Sequence, residues 1–342
     1  MTLVRAGWLG ALVMAVLSAP TPAAAAPVRG VALGLFAEDA GWSYRPLLDE
    51  IAAAGADQVE LVVPWYQADA ASTAIVDHPR YTPTPAAIVA AIRDARAAGL
   101  AVTLFPIVRL SAPRTPAEWR GTLAPADRAA WWRSYRARLV DLARVAAREH
   151  VAVLSVGSEL STLDGAGDRA AWAETVAAVR RVFHGTLMYS GNWDHFRDVA
   201  VYDLVDVVGL CAYFALVEPD APSTVDDLTR GWRDWRVELE RFFGPRGRPI
   251  VFTELGYRSI HGAGAAPWDE GTPGTVDLDE QRRCYAAFRR VFSAAPPERF
   301  GGVYFWNWYG WGGATSRGYT PRDKPALDEL RAFFAAEKAT GR

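Results

Sequence analysis

Two glutamates stand where short apolar stretches of the sequence stop. Residues 151–156 are small or β-branched with one exception and lead to Glu159, and residues 249–253 lead in the same way to Glu254. Such a run is typical of a buried strand, and an ionised carboxylate there is costly unless it has a partner or a role. At the carboxyl ends of parallel strands in one sheet the two carboxyl groups can face each other across a pocket, an arrangement suited to hydrolysis of a glycosidic bond.

Strand-like and helix-like segments alternate along the rest of the chain. Thr84 followed by Pro85 is a helix start signal, and a second helix is predicted from about Pro125 to Ala147. The 95 positions between the glutamates leave room for roughly two strand–helix units. Strands are predicted at 30–35, 58–63, 101–108, 151–156, 186–190, 205–212, 249–253 and 303–305.

Eight strands alternating with about eight helices, at roughly 40 residues a unit, predict an α/β chain folded as a single (β/α)₈ TIM barrel. An open doubly wound sheet is the alternative, but no Gly-x-Gly-x-x-Gly motif follows the first strand. Since no linker or composition shift divides the sequence, we expect one catalytic domain over residues 27–342.

Residues 1–26 have the pattern of a signal peptide. Arg5 supplies the positive charge, Trp8 to Leu17 form a short apolar core, and Ala23 to Ala26 offer small residues for cleavage. The apolar stretch is short for a membrane span, and no cysteine lies near the cleavage region. The expectation is an exported protein, periplasmic or extracellular, without a stable membrane anchor.

The composition excludes some functions and favours others. The 342 residues include 37 basic and 39 acidic ones, a net charge of −2, which argues against a nucleic-acid partner. The five histidines are scattered without a metal-binding motif, so no metal or cofactor is expected. Cys211 and Cys284 are expected to be buried free thiols rather than a disulfide. The 14 tryptophans offer flat faces on which sugar rings stack.

In a barrel of this kind the active site lies at the carboxyl ends of the strands. The residues found there carry carboxylate, guanidinium, amide, phenol and indole groups, with no phosphate cradle among them. They are Trp65, Arg109, Glu159, Asn192, Trp193, Tyr213, Glu254, Trp306 and Trp308. Trp268, in a loop rich in Gly and Pro, is a candidate to extend the cleft.

Four of these segments resemble one known family. They read VGSELS at 156–161, YSGNW at 189–193, FTELGYRS at 252–259 and FWNW at 305–308. Together they resemble glycoside hydrolase family 113, whose members are retaining β-mannanases with the (β/α)₈ fold, and the resemblance spans essentially the whole mature chain. It implies a β-linked polysaccharide or oligosaccharide as partner, most readily β-1,4-mannan. The protein is expected to be a monomer.

The resemblance also implies roles for individual residues. Glu159 would be the acid/base and Glu254 the nucleophile, with Tyr213 near the nucleophile. The sugar would lie among Asn192, Trp193, Trp306 and Trp308.

The chain departs from the wider clan at Ser158, where Asn usually precedes the acid/base. The pKa of Glu159 is expected to be raised by apolar surroundings and by the charge of Glu254. Tyr213 or Arg109 is expected to keep Glu254 ionised.

Two other functions compete with this prediction. One is a catalytically silent barrel that binds glycan without cleaving it, because a barrel can keep its carboxylates and lose its activity. The other is a metal-dependent hydrolase on the same scaffold, which the sparse histidines disfavour.

Overall fold

A closed parallel barrel of eight strands forms the centre of the computed structural model, which describes residues 27–39 and 41–339. Each strand pairs with the next, and the last pairs with the first. The predicted (β/α)₈ fold is therefore confirmed. The strands are β1 (Val28–Gly34), β2 (Gln58–Gln67), β3 (Ala101–Leu110), β4 (Val153–Ser158), β5 (Thr186–Asn192), β6 (Val207–Cys211), β7 (Ile250–Leu255) and β8 (Phe300–Phe305). The predicted signal peptide lies outside the described residues.

Helices surround the strands. They are α1 (Arg45–Ala53), α2 (Pro85–Ala97), α3 (Arg128–Arg148), α4 (Arg169–Arg180), α5 (Val225–Phe243), α6 (Leu278–Phe292) and α7 (Ala326–Ala339). Thr84 caps α2 as predicted, because its hydroxyl accepts a hydrogen bond from the Ala87 amide at 3.1 Å. None of the helices in this part of the chain has the length and apolar character of a membrane-spanning segment.

Two helix predictions require correction. Helix α3 begins at Arg128 rather than near Pro125, since Asp127 is its N-cap and accepts from the Ala130 amide at 2.8 Å. The Asp127 carboxylate satisfies an amide of the first turn that has no partner within the helix. Between β5 and β6 the described chain forms a 3₁₀ turn, Val201–Leu204, in place of an α-helix. The described residues therefore contain seven α-helices rather than about eight.

Apolar side chains pack in two layers. The larger lies between strands and helices, and a smaller cluster, which includes Val62, Met188, Cys211 and Tyr304, fills the barrel. Alternate residues of a strand face opposite sides, which explains the division. Glu60, two positions before Val62, is fully buried in the interior, and neither of its carboxylate oxygens has a hydrogen-bond partner.

Candidate active site

Glu159 follows directly on the end of β4. The pairing of β4 with β5 is irregular between Ser155 and Ser158, and Glu159 has a φ of +51°. A non-glycine residue in this left-handed region costs of order 1–3 kcal/mol and persists only where its surroundings hold it. The Glu159 amide donates to the Ser190 carbonyl at 2.8 Å, which fixes the turn against β5. The carboxylate is thereby directed away from the strand path and buried, with 3% of the residue exposed.

A buried polar chain holds the next residue in place. The Tyr189 hydroxyl accepts from the Leu160 amide at 3.2 Å and donates to Asp164 Oδ2 at 2.7 Å. Asp164 is fully buried, and His195 Nε2 lies 3.2 Å from its Oδ1. Burial raises the pKa of Asp164 to about 6. These groups support the backbone of Glu159 from behind without touching its carboxylate.

Glu254 lies within β7 and is 1% exposed. The Tyr213 hydroxyl, just beyond β6, donates to its Oε2 at 2.9 Å. Tyr213 therefore contacts Glu254, as the family resemblance implied.

The two glutamates converge at the barrel mouth. One carboxylate oxygen of each and the Cys211 sulfur all lie within 4.8 Å of one another. Cys211 and Cys284 are both buried free thiols. Cys211 Sγ is 3.6 Å from the Ser158 hydroxyl, so the residue that departs from the wider clan contacts the thiol.

Arg120 is the charged neighbour of this pair that the sequence did not reveal. It lies in a short 3₁₀ turn, Arg120–Thr122, and its guanidinium forms an ion pair with Glu159. Arg109, which was expected to neutralise Glu254, instead lies at the rim, with its guanidinium carbon 5.6 Å from the Phe36 ring centroid. The loop before α3 shows no periodicity, so no sequence signal placed Arg120 at the glutamates.

Burial is the main influence on the titration of both carboxyl groups. It raises the pKa of Glu254, and the charge of Glu159 raises it further, to about 7, against the lowering effects of Arg120 and Tyr213. Burial also raises the pKa of Glu159, while the Arg120 charge and hydrogen bond oppose that rise. The resting ion pair therefore favours an ionised Glu159, although a general acid must carry a proton.

A cavity of about 470 Å³ opens beside the glutamates. Trp306 and Arg120 line it, together with Trp311, which is 87% exposed. Glu270, in the loop after β7, is the carboxylate among its lining residues. Sequence reasoning missed both Trp311 and Glu270, because an exposed residue in a loop gives no periodic signal.

Asn192 and Trp193 lie at the end of β5. The Asn192 side chain accepts from the Trp193 amide at 2.9 Å, so it closes the turn. The Trp193 ring stacks on Trp268, with centroids 4.6 Å apart and planes 24° from parallel. Trp268 thus belongs to the same aromatic surface as Trp193.

Trp65 and Trp308 do not line the cavity, which corrects the prediction that they do. Trp65 is outward-facing on β2 and packs edge-on against Tyr135 with centroids 5.7 Å apart. Trp308 is 2% exposed in the outer layer and donates from Nε1 to Glu50 at 3.0 Å. Because β8 ends at Phe305, strand alternation does not continue to Trp308, and only Trp306 faces inward.

Two clusters in the described part of the chain could hold a metal ion by geometry. One is Glu159, Cys211 and Glu254, and the other is His261, Asp277 and Glu280. In the first, burial raises the pKa of the Cys211 thiol well above its usual range, and Arg120 already neutralises Glu159. A neutral thiol and a guanidinium both disfavour a bound cation.

Comparison with known proteins adds to this geometry. The sequence model of glycoside hydrolase family 113 matches residues 35–316. A family 113 β-mannanase from Alicyclobacillus acidocaldarius is 28% identical, with a TM-score of 0.79 over 92% of this chain and 98% of that one. A second family 113 β-1,4-mannanase is 19% identical, with a TM-score of 0.77 over 90% and 99% of the chains. A β-glucuronidase from Ruminococcus gnavus shares the fold at 13% identity and a TM-score of 0.61, over 90% of this chain and 50% of that one. No match was found among curated proteins.

Proposed function

Since the chain belongs to glycoside hydrolase family 113 and is a glycoside hydrolase, we propose that it cleaves β-1,4-linked mannan or manno-oligosaccharides with retention of configuration. Support for this substrate comes from the β-mannanase of the same family that is 28% identical over 92% of the chain. The family resemblance noted in the sequence is thereby confirmed, while the substrate and mechanism are the proposal.

The distance between the carboxyl groups of Glu159 and Glu254 is the observation that supports a retaining mechanism. Retaining enzymes hold their carboxyl groups about 5 Å apart, whereas inverting enzymes leave a wider gap for water. Oxygens of Glu159 and Glu254 lie within 4.8 Å of each other, which fits the first class.

The residues take the following roles. Glu254 attacks the anomeric carbon while Glu159 donates a proton to the leaving oxygen, which yields a glycosyl ester of Glu254 and a free alcohol. The ester carries no charge, so the pKa of Glu159 falls and Glu159 can accept a proton from the attacking water. Water then releases the sugar with its original configuration and regenerates both groups.

The residues around the pair would hold the sugar. Trp306 and the stacked Trp193 and Trp268 present flat apolar faces, and Asn192 directly precedes Trp193 at the end of β5. The Tyr213 hydroxyl keeps the attacking oxygen of Glu254 oriented. We also propose that residues 1–26 direct export, on the signal pattern alone.

The test is hydrolysis of β-mannan, β-glucan, xylan and aryl β-glycosides by the wild type and by Glu254→Ala. We expect cleavage of mannan to fall by at least about a thousandfold in the variant. Glu298→Gln, an exposed glutamate that precedes β8 at the end opposite Trp306, is the matched control and should keep full activity.

The stereochemistry is read separately. The first product, followed by NMR, should keep the β configuration, and azide should rescue Glu254→Ala with an α-glycosyl azide. An inverted first product would overturn the mechanism. Glycan binding without any cleavage would favour the silent barrel, and loss of activity with EDTA would favour a metal-dependent hydrolase.

A further inference from the structure

The cavity beside the glutamates is unusually rich in positive charge for a neutral substrate. Four arginines line it: Arg109, Arg120, Arg258 and Arg317. Against them stands one lining carboxylate, Glu270.

Two of these guanidinium groups are already engaged. Arg120 is paired with Glu159, and Arg258 Nη1 donates to the carbonyls of Asp269 at 3.1 Å and Thr272 at 2.7 Å. Within the described residues neither Arg109 nor Arg317 has a carboxylate within 4.0 Å. Arg109 and Arg317 therefore border the cavity with neither an ion pair nor a backbone carbonyl from the described part of the chain bound to the guanidinium, and Glu270 is the one carboxylate that lines the cavity with them.

Two buried polar atoms of the lining residues also lack partners. Arg120 Nε is a donor without an acceptor, and Asn307 Oδ1 is an acceptor without a donor. Burial of unpaired polar atoms is costly. A bound ligand that offers an acceptor to Arg120 Nε and a donor to Asn307 Oδ1 would therefore gain binding free energy from each hydrogen bond. A sugar carboxylate is an acceptor only, and the hydroxyls of the same sugar are donors.

We propose that this cavity binds a sugar that carries a carboxylate, so that the substrate is an acidic β-mannan containing uronic acid residues. Arg109 and Arg317 contact the carboxylate, because a guanidinium matches its geometry with two parallel hydrogen bonds. The exposed indole of Trp311 supplies an apolar face for the ring. This inference rests on the proposed function, since it names the sugar next to the bond that Glu159 and Glu254 cleave.

The test measures binding, so that it does not depend on turnover. The full chain with Glu254→Gln is titrated calorimetrically with a β-1,4-linked manno-oligosaccharide carrying one glucuronic acid residue. The second ligand is the same oligosaccharide with that carboxyl group reduced to the alcohol. We expect the acidic ligand to bind about tenfold more tightly, the effect of one charge-assisted hydrogen bond. The preference should shrink as salt rises from roughly 0.05 M to roughly 0.5 M.

Substitutions in the same background locate the contact. Arg109→Gln and Arg317→Gln should each reduce the preference, and Arg317→Lys should keep part of it. Arg233→Gln, an exposed arginine on α5 that does not line the cavity, should leave it unchanged.

Equal affinity for the two ligands, no binding of either, or a preference that survives both glutamine variants would overturn the proposal. These outcomes are separate from a failure of the proposed function, which would appear as loss of retention or of Glu254 dependence in the hydrolysis assay. A protein that cleaves neutral mannan but binds both ligands equally would keep the function and lose this inference.

Discussion

At the scale of single residues, the Tyr213 hydroxyl is one of the groups that favour an ionised Glu254. Tyr213 donates to its carboxylate at 2.9 Å and so lowers a pKa that burial raises. Tyr213→Phe removes this donor and therefore raises the pKa at which Glu254 ionises. The nucleophile must be ionised, so the acidic limb of the kcat/KM profile should shift to higher pH.

The expected loss of kcat/KM at neutral pH is about ten- to a hundredfold, the value of a hydrogen bond to a charged group. The measurement is the pH profile of hydrolysis by both proteins. An unchanged acidic limb would mean that the hydroxyl does not govern the ionisation of Glu254.

The residues that could be identified from the sequence were those at the carboxyl ends of predicted strands. Glu159, Glu254 and Tyr213 follow buried apolar runs, and barrel geometry brings such positions together. Arg120 could not be found, because it belongs to a loop whose path depends on contacts distant in sequence. Trp308 was misplaced because β8 ends at Phe305, so the alternation of a strand does not extend through Trp306 to Trp308.

At the scale of elements, the turn after β4 is held by groups of β5 and the following loop. Tyr189 accepts from the Leu160 amide and donates to buried Asp164, which supports the left-handed backbone of Glu159. Tyr189→Phe leaves that amide and that carboxylate without this partner. We expect kcat to fall about tenfold or more with KM nearly unchanged, since Glu159 is displaced while the sugar contacts remain.

The same substitution should lower the free energy of unfolding by about 1–3 kcal/mol, the cost of a buried polar group without its partner. Tyr81→Phe is the matched control, because its hydroxyl bonds Glu38 at an exposed position and its loss should cost little. Chemical denaturation and steady-state kinetics measure the two effects. A variant that loses stability but keeps kcat would show that the hydrogen bonds of Tyr189 have only a structural role.

Element order and type were predictable because apolar runs and helical stripes persist along the chain. Capping decided the boundaries, as at Asp127, whose carboxylate rather than Pro125 starts α3. The missing helix between β5 and β6 was not predictable, since a 3₁₀ turn of four residues spans the connection with little sequence signal.

At the scale of the whole molecule, the barrel interior contains an ionisable group that folding must neutralise. Glu60 is fully buried without partners, and burial together with the charge of Glu254 raises its pKa well above 4.5. The folded protein therefore holds a proton there that the unfolded chain has released above about pH 4.5. Stability contributed by this group is complete below that pH and falls as pH rises toward the folded pKa.

Glu60→Gln removes this dependence. The free energy of unfolding of the wild type should decline relative to the variant by about 1.4 kcal/mol per pH unit above pH 5, until the folded pKa is reached. Urea denaturation from pH 5 to 8 measures the difference, with Glu298→Gln as an exposed control. Parallel pH dependence in wild type and Glu60→Gln would show that Glu60 is ionised in the folded protein.

The molecule combines a rigid frame with a charge carried on a loop. Glu159 and Glu254 are fixed at strand ends, whereas Arg120 approaches Glu159 from the segment between β3 and α3. That guanidinium lowers a pKa that burial raises, so the proton affinity of the acid/base is set by a loop as well as by the barrel.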